Sequence, residues 1–138
     1  MSPIIETLFP VKTRTFKLKR WVKIGLRTLH LIGVAGAGGG LMLGHSPAVL
    51  LPYLIMMNIS GILFVGLEIW SNGIWLIQLR GIIISLKIGL IFLLPYFRNE
   101  TLFFLIGIII ISSIISHAPG DVRYYSPWHR KRLDTLYP

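Results

Sequence analysis

Two histidines, His30 and His117, stand in or at the edge of long apolar stretches, and imidazoles on two different membrane helices are the ligands a b-type haem uses. Arg27, Arg80 and Lys87 are the cations that would meet its propionates. The depths do not match well: His30 lies about 10 Å of helix past Lys23, while His117 closes its stretch, a difference of roughly 5 to 10 Å. One imidazole alone could instead contact a pigment or a quinone, or hydrogen-bond a neighbouring helix. Haem b is therefore the cofactor that His30 and His117 would take, without being demanded by them. Little else is reactive. His45 and His129 complete no spaced metal site, and no His-x-x-x-His, paired carboxylate or Ser–His–Asp arrangement occurs. Cysteine is absent, which removes thiolate chemistry and disulfides. With only five acidic residues in 138, hydrolytic or proton-shuttling chemistry has few groups to use, and no enzyme activity is expected.

The elements that must hold these residues follow from composition. A chain that is 54% hydrophobic and 14% charged is too apolar for a soluble domain of this length. Four apolar stretches, at about 24–44, 47–68, 75–96 and 101–117, each approach the roughly 20 residues that cross a hydrocarbon core. Pro47 opens the second behind Ser46, the third closes near Pro95, and a turn at 97–100 joins it to the fourth. Short connections make consecutive helices antiparallel neighbours, and open strands cannot satisfy their backbone in lipid. The expected fold is an all-α integral membrane protein, one four-helix antiparallel bundle forming a single domain. It is flanked by a basic interfacial segment at 1–23 and a basic aromatic tail at 118–138. The first stretch is read as a retained span rather than a cleaved leader, because its basic region is long and no A-x-A site follows.

Charge sets the orientation. The net charge of +9 is concentrated at the two ends, with Lys12, Arg14, Lys17, Lys19, Arg20, Lys23 and Arg27 before or within the first span and Arg123, Arg130, Lys131 and Arg132 after the last. By the positive-inside rule both ends are cytoplasmic, in agreement with Arg80 at the start of the third span and with an even number of crossings. Anionic lipids, not nucleic acid, are the partners this charge implies, with bound lipids expected.

Small residues mark the packing faces. Gly33, Gly36, Gly40 and Gly44 share one stripe of the first span, and Gly81, Ser85 and Gly89 recur at intervals of four on the third, which makes those two helices the expected pair. Arg80 and Lys87 lie nearly opposite the second stripe. Lys87 can snorkel to the inner headgroups or pair with Glu68, which has Asn58 and Gly61 on its face. The tails mix aromatics with cations, as in Phe16, Trp21, Tyr124, Tyr125 and Trp128, a mixture suited to headgroups and to protein interfaces.

The four-span plan resembles that of small multidrug transporters, but no acidic residue stands in the first span. It also resembles small haem-b membrane anchors, but the histidines are unpaired in depth. No motif assigns a family. The expected function is that of a non-catalytic accessory subunit of a larger inner-membrane complex, packing against other membrane subunits. A haem, pigment or quinone-binding subunit is the alternative, and a small transporter a further one.

Overall fold

The computed structural model describes residues 3–93 and 100–134. The protein is mostly helical: α1 (Pro3–Leu8), α2 (Lys19–Met42), α3 (Pro47–Ser71), α4 (Ile74–Ile77), α5 (Leu79–Leu93), α6 (Thr101–His117) and α7 (Gly120–Arg123), followed by a hairpin of β1 (Tyr125–Ser126) and β2 (Lys131–Arg132). It divides into two compact units, Arg14–Ser71 on the one hand and Met1–Thr13 with Asn72–Pro138 on the other.

The all-α expectation holds, but four helices of spanning length and hydropathy are not found among the described residues. Among the described residues one helix, α3, is both long and apolar enough to cross a membrane, and most of its apolar window is not buried within the protein. Helix α2 has the length, yet half of it is glycine-rich and its first turns are basic, so it is less apolar than α3. Helix α6 is apolar but has 17 residues, short of the roughly 20 a bilayer needs. The expected end of the third apolar stretch near Pro95 and residues 97–99 of the expected turn after it lie outside the described residues.

In the first unit, α2 and α3 form an antiparallel helical hairpin, and their facing residues step in threes and fours in opposite directions. Gly40 meets Leu50, Gly36 meets the Tyr53 ring, and Gly33 meets the backbone of Met57. This is the close approach that a stripe without side chains permits, and it buries Gly33 and Ala37. The stripe is thus closed over α3, not over the third span as expected. Complementarity is the reason: large side chains on α3 fill the groove that glycines leave, and a short connection already brings α3 alongside.

Gly44 does not belong to that stripe. Helix α2 ends before it, Gly44 adopts φ +68°, and a Cβ there would touch nothing within 4 Å. Its N–H donates to Leu41 O at 3.2 Å and the His45 N–H to Gly40 O at 2.9 Å, the paired bonds of a Schellman ending. At the other end of the hairpin, Arg14 donates to the last carbonyls of α3, from its backbone N–H to Ser71 O at 2.9 Å and from Nη1 to Trp70 O at 3.0 Å. A cation there satisfies orphan acceptors and complements the negative helix end.

In the second unit, the third apolar stretch is broken. Gln78 takes an extended conformation (ψ 151°) between α4 and α5, so the expected single helix over 75–96 becomes a short helix and a longer one. Gly81 makes this bend compact: a Cβ on it would collide with the Trp75 carbonyl of α4. Gly81 therefore serves a chain reversal, not a helix-packing stripe. Its two companions are open, since Ser85 and Gly89 are exposed and a Cβ at Gly89 would meet nothing within 4 Å. Asn72 braces the start of α4, accepting from the Ile74 N–H at 3.0 Å and donating to Pro10 O at 3.3 Å.

Candidate functional site

Each unit holds a cluster of charged and aromatic side chains. On the α2–α3 hairpin, Lys23 forms an ion pair with Glu68, whose residue is only 6% exposed. Lys23 and Arg27 both lie over the Phe64 ring, at 5.6 and 4.9 Å from its centroid. Glu68 is thus matched with Lys23 and not with Lys87, because the stepwise pairing that sets Gly33 on Met57 also sets position 23 opposite 68. Lys87 is half-buried on α5.

One to two turns further along α2, His30 donates from Nδ1 to the Met57 carbonyl at 2.8 Å, and the absence of a side chain on Gly61 makes room for its ring. Ser60, buried beside it, donates to Met56 O at 2.6 Å. His30 is therefore a cross-helix hydrogen-bonding residue in this structure. His117 belongs to the other unit and is exposed at the end of α6.

The second cluster surrounds Tyr124. Three guanidinium groups lie against its ring, those of Arg80 at 4.6 Å, Arg132 at 5.2 Å and Arg123 at 5.7 Å from the centroid. They come from three elements, α5, β2 and α7, and Gln78 organises them. Gln78 is 1% exposed; its Oε1 accepts from Arg80 Nε at 2.7 Å and its Nε2 donates to Leu133 O at 2.7 Å. Leu133 N–H in turn donates to Tyr124 O at 2.9 Å. Arg132 pairs with Asp121 at 2.8 Å and with Asp134 at 2.9 Å. The hydrogen bond it donates to Asp121, then that to Asp134, raises the Arg132 pKa above its ordinary value, so it stays charged. Arg123 Nε is enclosed and has no hydrogen-bond partner among the described residues.

Sequence reasoning placed Arg80, Arg123 and Arg132 at the cytoplasmic surface but missed their convergence on Tyr124 and the part played by Gln78. The available signal was a lone amide, Gln78, inside an apolar run and two residues before Arg80.

Neither cluster presents a nucleophile beside a base. Ser126 and His129 Nδ1 share a hydrogen bond of 3.0 Å, but Ser126 is fully buried in the hairpin, where that bond fixes the turn. Among the described residues no three His, Asp or Glu side chains gather as a metal site would require. What the two clusters can do is bind: the first fixes one helix against another, the second concentrates planar cations around an aromatic face. Comparison of the chain with protein-family models, with curated proteins and with solved structures finds no match.

Proposed function

We propose that this chain is a non-catalytic accessory subunit of a larger inner-membrane assembly, crossing the bilayer as four antiparallel helices with both ends cytoplasmic. Asn58 carries the reading. It sits near the middle of α3, the long apolar helix, and is exposed, its amide donating to Leu54 O of its own helix at 2.8 Å and to no other group among the described residues. A polar amide at that depth is costly against lipid tails and favourable against a neighbouring helix that can hydrogen-bond it. The open small-residue positions Ser85 and Gly89 on α5 suit the same use, since a foreign helix can approach them closely.

Gentle purification from native membranes tests this. The chain is expected to bring defined neighbouring subunits with it, and Asn58→Leu to lose them while its own helicity is unchanged. Migration of the wild-type chain alone, with no co-purifying protein, would overturn the proposal.

A second reading rests on His30. An Nδ1–H held by a backbone carbonyl is the bond that orients a ligating imidazole, so a b-type haem, pigment or quinone beside α2 is the alternative. A Soret band in the purified protein that disappears in His30→Ala would establish it in place of the purely structural role. The third expectation, a small transporter, gains no support from any geometry described above.

A further inference from the structure

We propose that the tip of the C-terminal hairpin, Trp128 with Arg130 and Lys131, inserts into the headgroup layer of an anionic bilayer at the cytoplasmic surface. The inference rests on the membrane placement proposed above and not on the partner subunits.

The tip is held out by a buried base. The turn 127–130 between β1 and β2 is exposed throughout, and Trp128 is 69% exposed. At its foot Ser126 is fully buried, Leu133 is 5% exposed, and the Gln78 amide donates to Leu133 O at 2.7 Å. Ser126 and His129 Nδ1 share their 3.0 Å hydrogen bond within the turn. An indole presented from a fixed turn loses little freedom on insertion, and its apolar ring with one polar N–H is best accommodated at headgroup level.

The charge around the indole names the occupant. Arg130 and Lys131 follow Trp128 closely and are exposed, and no acidic residue occurs from 122 to 133. An anionic leaflet attracts such cations without needing the matched shape that a protein groove would demand. Arg130 also stands at φ +50°, a left-handed position where glycine or asparagine is more usual, so the turn carries a cation in place of the residue its backbone favours. Location agrees: residues 118–124 alone separate the hairpin from the end of α6, which keeps the tip within reach of the surface that the positive-inside rule makes cytoplasmic.

The test uses the full chain labelled with fluorotryptophan, reconstituted into nanodiscs of phosphatidylcholine alone or of phosphatidylcholine with phosphatidylglycerol. The Trp128 fluorine resonance is assigned by its loss in Trp128→Phe. With phosphatidylglycerol present, it is expected to be shielded from a water-soluble gadolinium chelate and broadened by a lipid carrying a nitroxide near its headgroup; in phosphatidylcholine the shielding should fall severalfold. Arg130→Gly with Lys131→Gln removes both charges while leaving the left-handed turn comfortable. This pair is expected to lower the ratio of inserted to free tip roughly tenfold or more, each cation at an anionic surface being worth about fivefold. Lys17→Gln, a charge removed from the other compact unit, should change the ratio less than about twofold. Circular dichroism confirms helicity in each variant.

Equal access of the chelate to Trp128 in the two lipids overturns the proposal, and access in both leaves the tip free for a protein partner instead. Shielding of the charge-removed variant to the wild-type extent overturns it as well. Alkaline carbonate extraction of native membranes reports the spanning reading separately: release of the chain sinks that reading, whereas retention with an accessible Trp128 sinks the hairpin inference alone.

Discussion

Gly33 and Met57 touch backbone to backbone: a Cβ placed on Gly33 would stand 2.6 Å from the Met57 nitrogen, closer than a Cβ can approach a non-bonded atom. The α2–α3 hairpin is closed through that contact. Gly33→Ala is therefore expected to force the helices apart and lower stability by about 1–3 kcal/mol, the usual cost of overpacking. Gly39→Ala on the same helix, where a Cβ would meet nothing within 4 Å, is expected to be neutral or to stabilise by up to about 1 kcal/mol through helix propensity. Thermal unfolding of the two variants in mild detergent checks the contrast; equal effects would show that the close approach does not matter.

Gly44 makes a different prediction, because its role is conformational. At φ +68° it closes the Schellman ending of α2, and Gly44→Ala is expected to cost about 1 kcal/mol although nothing crowds the position. Gly44→Asn, which tolerates the left-handed region, should recover part of that loss in the same unfolding assay.

The pairing of Lys23 with Glu68 predicts non-additivity. Lys23→Met leaves a carboxylate that is almost fully enclosed without its cation, at an expected cost of about 2–3 kcal/mol, reduced from the fully buried case because Lys23 is partly exposed. Adding Glu68→Leu should restore most of it, since both charges are then gone. A double-mutant cycle measured by unfolding gives the coupling directly, and simple additivity would mean the pair is not formed.

Gln78 is expected to govern the order of the C-terminal hairpin. Gln78→Leu strands the Arg80 Nε donor and the Leu133 acceptor, a loss of about 1–3 kcal/mol confined to the hairpin and the α4–α5 bend. Limited proteolysis within 127–131 should accelerate while cleavage in α2 and α3 stays at the wild-type rate. Gly81→Ala, which drives a methyl into the Trp75 carbonyl, should produce the same pattern by opening the bend itself.

Much of this architecture can be read from the chain alone because it depends on local properties. Apolar run length defined the long helix α3 and the apolar α6, the Ser46–Pro47 pair marked where α3 begins, and glycine spacing marked a close-packing face on α2. The presence of arginines near the ends of α5 and α6 was equally visible, as was Asn58 as a polar residue in an apolar run; that Asn58 is exposed while Glu68 is buried was not. Partnership was not legible in the same way. Whether Gly33 meets the second helix or the third, and whether Glu68 pairs with Lys23 or Lys87, depends on which large side chains fill which groove.

Tertiary packing also decided what periodicity misread. Gly44 and Gly81 share the spacing of packing glycines, yet one caps a helix and the other clears a reversal, because a backbone's φ and its distance from a carbonyl leave no trace in residue type. The convergence of Arg80, Arg123 and Arg132 on Tyr124 brings together residues up to 52 positions apart. Local sequence supplied each cation; only the extended turn at Gln78 and its bond to Leu133 decide that they face one ring.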